Sequence, residues 1–310
     1  MSVNELEFEK VAEKAQTELI LPLAHIRIAA MRYGDENKPI ILACHGWLDN
    51  LNSFLPLAEL FLASDLVNHY QLITFDWPGH GFSEHRPGTY PLHFIDYVYD
   101  LDAVVEYLTH DNNLPITLLG HSLGGLVAAA YNASFVNRIE KLILIEALSP
   151  INEPAEFTKT RLQDGIKQHR LFNAKKQQSP AFQDRGYANL DVIIKARQQL
   201  TGLDEIWCRM ISQRNVQLVN QRFYWRSDPR LKLDSLYRMT FEQVDALMSQ
   251  SDTSTLLVLG EQGFKQLKLM LEHTDKWFSR ITISHLEGDH HVHMGNAGAL
   301  LQQIRAFILK

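Results

Sequence analysis

Short apolar runs alternate with amphipathic stretches along this chain, and that rhythm predicts an α/β fold: a mostly parallel sheet flanked by helices, with a helical segment inserted into it. Three observations carry the prediction. Runs such as Ile40-Ile-Leu-Ala-Cys44 are apolar throughout, as strands covered on both faces must be, and do not alternate as half-exposed strands do. Residues 151–240 contain no such run, and the strand pattern returns at Ser254. The segment Gly120-His-Ser-Leu-Gly124 also stands between a strand-like run and a helix-like one.

Taken in order, residues 39–44 read as a buried strand ending at His45-Gly46. Residues 70–75 read as a second, ending in the breaker-rich turn Asp76-Trp-Pro-Gly-His-Gly81. Residues 94–110 carry Ile95, Val98, Leu101, Val104, Val105 and Leu108 at helical spacing, with acids on the other face. Residues 115–119 form a third strand, 124–136 a helix of small residues and 141–145 a fourth strand. Beyond the insertion, a strand at 254–259, a helix over 265–278, a strand at 280–285 and a helix at 297–309 complete the pattern. The expected organisation is one core, residues 1–150 and 241–310, interrupted by a helical cap, or lid, at residues 151–240.

Composition narrows the class. With 45% hydrophobic, 10% aromatic and 21% charged residues in 310, the chain has ample apolar surface to offset the entropy of folding, which excludes intrinsic disorder. The formal charge of −6 argues against a nucleic-acid partner. Two cysteines, Cys44 and Cys208, make neither a disulfide framework nor a C-x-x-C pair. The first ten residues are polar and acidic where a secretory signal is basic and then apolar, and no run reaches the ~18 apolar residues of a membrane span. These features point to a cytoplasmic chain with no membrane span.

Gly120-His-Ser-Leu-Gly124 matches G-x-S-x-G in the strand–turn–helix setting that gives the motif its mechanics. The sharp turn strains the backbone at Ser122, and the flanking glycines remove side chains that would clash, so the serine hydroxyl is presented at the C-terminal edge of the sheet. The Leu123 amide then points to where an oxyanion would form. A second donor is the Trp47 amide in His45-Gly46-Trp47, where Gly46 lets the chain approach substrate closely. A phosphate loop is excluded, because no lysine follows the glycines.

These residues resemble the α/β-hydrolase superfamily, whose pattern is an H-G turn, a nucleophile elbow, a helical cap and a late histidine. More narrowly, His45-Gly-Trp-Leu-Asp-Asn50 together with Gly288-Asp-His-His-Val-His-Met294 looks like the serine hydrolase-like subgroup. The resemblance implies a serine nucleophile at Ser122, where epoxide hydrolases and dehalogenases carry aspartate. It also places the catalytic histidine at His290, in the Gly288-Asp-His turn after the last strand. His291 and His293 compete for that role but fall on or beyond the start of the following helix. The crowding of Asp289, His290, His291 and His293 raises a metal site, which the lack of a third distant ligand set argues against.

A serine hydroxyl needs an imidazole to take its proton and a carboxylate to hold that imidazole in the right tautomer. The acid is where this chain departs from the pattern: after the strand ending at Leu259, the family's aspartate position falls on glycine in Gly260-Glu-Gln-Gly263. Two substitutes stand open. Glu146 directly follows the strand at 141–145, where a carboxylate is costly without a partner, and its extra methylene suits a longer reach to His290. Glu261 lies near the usual site. Asp76 reads as a brace for the loop beside the oxyanion turn.

The expected activity is hydrolysis of a small-molecule ester-like bond through an acyl-enzyme, with carboxylesterase the default and no cofactor or metal required. Thioesterase, lactonase and carbon–carbon bond hydrolase share the same fold and elbow. The missing aspartate also raises a non-catalytic ligand-binding relative, since fold alone does not decide function. The insertion holds nine aromatics, among them Phe172, Phe182, Trp207 and Trp225, which are expected chiefly to pack its helices. It also holds 16 Lys+Arg against 9 Asp+Glu, a charge of +7 beside −13 for the rest of the chain. Electrostatic docking of cap on core is the expected reason, with attraction of anionic substrates the alternative.

Overall fold

The computed structural model describes residues 16–111, 113–178, 186–249 and 251–310. Residues 1–10 and Phe182, used above, lie outside the described residues. Eight strands form one sheet in the order β1-β2-β4-β3-β5-β6-β9-β10. These are β1 (Gln16–Pro22), β2 (Arg27–Tyr33), β3 (Ile40–Cys44), β4 (Gln71–Phe75), β5 (Ile116–His121), β6 (Lys141–Ile145), β9 (Ser254–Gly260) and β10 (Ile281–Leu286). From β4 to β10 every neighbouring pair is parallel, whereas β2 pairs antiparallel with both β1 and β4.

The unbroken apolar runs have a direct cause. In β3, Ile40, Leu42 and Cys44 enter one core cluster while Ile41 and Ala43 enter the other, and β6 and β9 divide in the same way. Both faces are covered, so both phases of the strand must be apolar. The first cluster is closed by α2 (Phe94–Thr109), α3 (Leu123–Ser134) and α7 (Phe241–Met248), the second by α1 (Leu55–Leu62) and α11 (Ala297–Ile308).

Two expectations need correction, and one element was missed. The helix expected over 265–278 is broken into α8 (Lys265–Leu269), a 3₁₀ turn at Met270–His273 and α9 (Thr274–Trp277). The α2 stripe does not separate as expected: Ile95 is exposed, and Asp100 is fully buried against Arg86 and His25. The antiparallel β1–β2 hairpin was not anticipated, because its strands mix apolar with charged residues and β1 leaves Ile20 exposed. Burial of Val98, Leu101, Val104 and Val105 agrees with the spacing.

Between β6 and β9 the chain forms α4 (Thr158–Gln178), α5 (Leu190–Thr201), α6 (Glu205–Asn215) and a small antiparallel hairpin, β7 (Val216–Val219) with β8 (Arg222–Trp225). Asn220 and Gln221 both take positive φ at the hairpin tip, as a tight two-residue turn requires. This segment meets the strand ends of the sheet through polar contacts. Arg197 pairs with Asp49 and Arg214 with Asp76, all four buried, and the Trp47 indole donates to Leu231 O at 2.9 Å. No helix among the described residues is long and apolar enough to cross a membrane.

Candidate active site

Ser122 stands between β5 and α3 with φ 49° and ψ −121°, a conformation that non-glycine residues adopt at a cost of roughly 1–3 kcal/mol. Its neighbours make that geometry feasible. A Cβ at Gly124 would overlap the Cys44 carbonyl, and one at Gly120 would overlap Gly125. The missing side chains let the first turn of α3 press against the exit of β3, the strand that leads to Trp47. The Ser122 amide still donates to Ile145 O at 3.0 Å, so the ladder runs on to the residue at which the chain turns.

Leu123 opens α3, and its N–H is one of the four that a helix leaves without an intrahelical acceptor. Trp47 lies in the turn closed by Asp49 N to Gly46 O at 3.1 Å. Asp76 supports this region from below, accepting from the Leu51 amide at 2.9 Å, the Phe82 amide at 2.8 Å and Arg214 Nε at 2.7 Å. It is the brace that the sequence suggested.

The acid question turns on one pocket. Glu146 follows β6 with φ 50°, and its amide donates to Val258 O at 2.9 Å. Its carboxylate reaches into the turn after β9, where Oε1 accepts from the Gly260 amide at 2.7 Å and Oε2 from the Phe264 amide at 3.0 Å. His290 Nδ1 lies 3.3 Å from the same Oε2. A Cβ built at Gly263 would overlap both carboxylate oxygens, so the Glu146 carboxylate fills the space that a side chain at 263 would take. Burial would raise the Glu146 pKa, but the contact with His290 and the two backbone donors outweigh it and hold the carboxyl below its ordinary value. Glu261, by contrast, is exposed, and its backbone is what is engaged, the carbonyl accepting from Lys268 Nζ at 3.1 Å.

His290 is brought to Glu146 by lacing two turns together. The Gln262 amide donates to Gly288 O at 3.0 Å, and Glu261 N donates to Leu286 O at 2.9 Å. Gly260 lies directly beneath the Gly288 and Asp289 carbonyls, where a Cβ would not fit. Phe264 stacks on the His290 ring at 3.9 Å between centroids and 25° between planes. The roles of Gly263 and Phe264 were not anticipated, since both depend on contacts across more than 25 residues of chain. No hydrogen bond joins the Ser122 hydroxyl to His290 among the described residues; such bonds are often long before substrate binds.

The other clustered groups divide cleanly. Asp289 is exposed and accepts from the His291 amide at 2.7 Å, while His291 and His293 are buried. Among the described residues no group of three or more His, Cys, Asp or Glu is placed to hold a metal ion.

Comparison with known proteins identifies the family. A family model described as alpha/beta hydrolase fold matches residues 39–296. A Danio rerio protein described as serine hydrolase-like is 27% identical over 309 residues, spanning 95% of this chain and 89% of that one. An Escherichia coli K12 protein named Esterase YbfF is 34% identical over 131 residues, 41% of this chain and 45% of its own. The crystal structure of the hypothetical protein PA1622 from Pseudomonas aeruginosa PAO1 superposes with a TM-score of 0.79 at 29% identity, covering 94% of this chain and 99% of that one.

Proposed function

Because the chain belongs to the α/β-hydrolase fold family, in its serine hydrolase-like subgroup, we propose that it is a serine hydrolase that cleaves a carboxylic ester-like bond through an acyl-enzyme on Ser122. Residues 151–240 act in this reading as a cap over the strand ends, seated by the Arg197–Asp49 and Arg214–Asp76 pairs. Those two cations are spent on docking, which favours docking over attraction of an anionic substrate as the reason for the insertion's positive charge.

The observation that carries the reading is the Glu146–His290 contact. A carboxylate at Nδ1 holds the proton there and leaves Nε2 as a bare lone pair, the form needed to accept the Ser122 proton. Ser122 Oγ attacks the carbonyl as His290 Nε2 takes its proton. The Trp47 and Leu123 amides donate to the developing oxyanion, and His290 then protonates the departing alkoxide. Water enters and attacks the acyl group as His290 takes its proton, and His290 then returns that proton to Ser122 Oγ as the ester bond to the serine breaks and the acid leaves. The motive for a non-catalytic reading was an absent acid, and a carboxylate on His290 removes that motive.

Ser122→Ala is expected to abolish labelling by a fluorophosphonate probe and to lower kcat on short p-nitrophenyl esters by about 10⁴-fold or more. Retained turnover with undiminished labelling would contradict the mechanism. Ester, thioester and lactone substrates compared by kcat/KM then separate the activities that share this elbow.

A further inference from the structure

The two sequence stretches singled out above, residues 45–50 and 288–294, meet in the fold behind the candidate catalytic histidine. Asp49 comes from the first, His291 and His293 from the second, and His121 from the elbow itself; all four are buried. His121 Nε2 lies 2.8 Å from the carbonyl oxygen of His290. His291 Nε2 lies 3.5 Å from Asp49 Oδ2, whose other oxygen pairs with Arg197. The ring centroids of His121 lie 4.8 Å from those of His290 and 5.1 Å from those of His291. Gly46 makes the meeting possible: a Cβ there would stand 3.0 Å from His121 Nδ1 and 3.1 Å from Asp49 Oδ2.

We propose that His121 and Asp49 are positioning residues for His290, clamping its turn from behind at two consecutive residues. The inference rests on the reading of His290 as the general base. His121 takes hold of the His290 carbonyl, and Asp49 takes hold of the His291 ring. Glu146 orients the His290 ring from in front, but a ring hydrogen bond does not fix the backbone that carries the ring; the clamp does. A displacement of about 1 Å at such a base costs on the order of 10²-fold in rate.

Proton placement follows from the partners. A carbonyl only accepts, so His121 must carry its proton on Nε2. Burial and the surrounding imidazoles hold its pKa well below the ordinary value, so the ring is neutral, and Nδ1 makes no hydrogen bond among the described residues while lying 3.7 Å from Asp49 Oδ2. Asp49 is ionised: burial opposes this, but the hydrogen bond from His291 and the Arg197 charge hold it well below the ordinary carboxylate range.

The test begins with unsubstituted protein carrying ¹⁵N-histidine. Its His121 is expected as the neutral Nε2–H tautomer, and an Nδ1–H tautomer would overturn the proposal without recourse to any variant. Kinetics follow on p-nitrophenyl esters. His121→Leu is expected to lower kcat by about 10- to 100-fold with KM within about twofold, Asp49→Asn to lower kcat as much while sharing the KM change of Arg197→Gln, and His121→Gln, which restores an N–H at the Nε2 position, to recover most of the loss. Equal losses from His121→Leu and His121→Gln, or no loss from either His121→Leu or Asp49→Asn, would sink the proposal. If Asp49 served only to seat the insertion, Arg197→Gln would reproduce the kcat loss of Asp49→Asn; the clamp instead predicts that Arg197→Gln acts mainly on KM. Fluorophosphonate labelling of the unsubstituted protein at Ser122 keeps the two questions apart. Absent labelling defeats the hydrolase reading, whereas labelling with no effect of the variants defeats the clamp alone.

Discussion

Two adjacent parallel strands end in the same unusual way and for different reasons. β5 leads to Ser122 with φ 49°, and β6 leads to Glu146 with φ 50°. Each amide makes the last rung to the next strand before the chain turns. At Ser122 the strained turn is made possible by glycines two residues away on either side, within one short motif. At Glu146 the space for the side chain is made by Gly263, more than a hundred residues later. A proposed nucleophile built by its immediate neighbours can be recognised from a short string; a proposed acid built by a distant vacancy cannot.

The two strand ends differ most at Gly263. Gly263→Val would put a side chain where the Glu146 carboxylate lies, and kcat is expected to fall by about 10³-fold, as though the acid itself had been removed, with secondary structure retained by circular dichroism. The vacancy also invites an exchange. Glu146→Gly combined with Gly263→Asp moves a carboxylate to the family's usual position, and the pair is expected to recover at least tenfold in kcat over Glu146→Gly alone. No recovery would mean that the pocket accepts a carboxylate from β6 only.

On the other strand, Gly124→Ala sharpens the contrast, because the damage there is to packing. Its Cβ would meet the Cys44 carbonyl, and urea unfolding should show a loss of about 1–3 kcal/mol. If Gly124→Ala left stability untouched, the elbow would be less tightly built than the contacts imply.

A smaller effect is expected from pH. Burial holds the His45 and His80 pKa values down to about 3 and about 4, so both rings are neutral in the folded chain. The unfolded chain takes up those protons near the ordinary value of 6.5, so stability is complete above that pH and declines progressively as pH falls from it towards 4. Glu146 acts lower: its folded pKa lies below the ordinary 4.5, so its contribution is present above 4.5 and is lost as pH falls through the folded value. Urea midpoints of the unsubstituted protein and Glu146→Gln should therefore fall in parallel between pH 7 and 5.5 and converge only below 4.5. Convergence already at pH 6 would mean that the Glu146 carboxyl is not held low.

Much of this was legible in the sequence because it is local or periodic. The strands at residues 40–44 and 141–145 carry apolar residues in both phases, which only a doubly covered strand requires. Ser122 and its glycines lie within five residues. Glu146 was half legible: an acid at the end of a buried strand asks for a partner, but whether it reaches His290 depends on the turn at 260–264 and on the absence of a side chain at 263. Phe264 on His290, and the meeting of Asp49 with His291, are tertiary contacts with no signature in spacing. The β1–β2 hairpin escaped notice for a plainer reason: β1, the edge strand, is exposed along much of its length, and in β2 the short buried run that begins at Ile28 is bounded by Arg27 and Arg32.

The proposed acid on His290, Glu146, stands at the end of β6. Steady-state kinetics of Glu146→Gln beside Glu261→Gln test that assignment most directly. Glu146→Gln keeps the side-chain shape while removing the charge that holds the proton on Nδ1, and kcat is expected to fall by about 10³-fold or more, while Glu261→Gln stays within about twofold of the unsubstituted protein. A Glu146→Gln enzyme within tenfold of full activity, or a larger loss from Glu261→Gln, would contradict it.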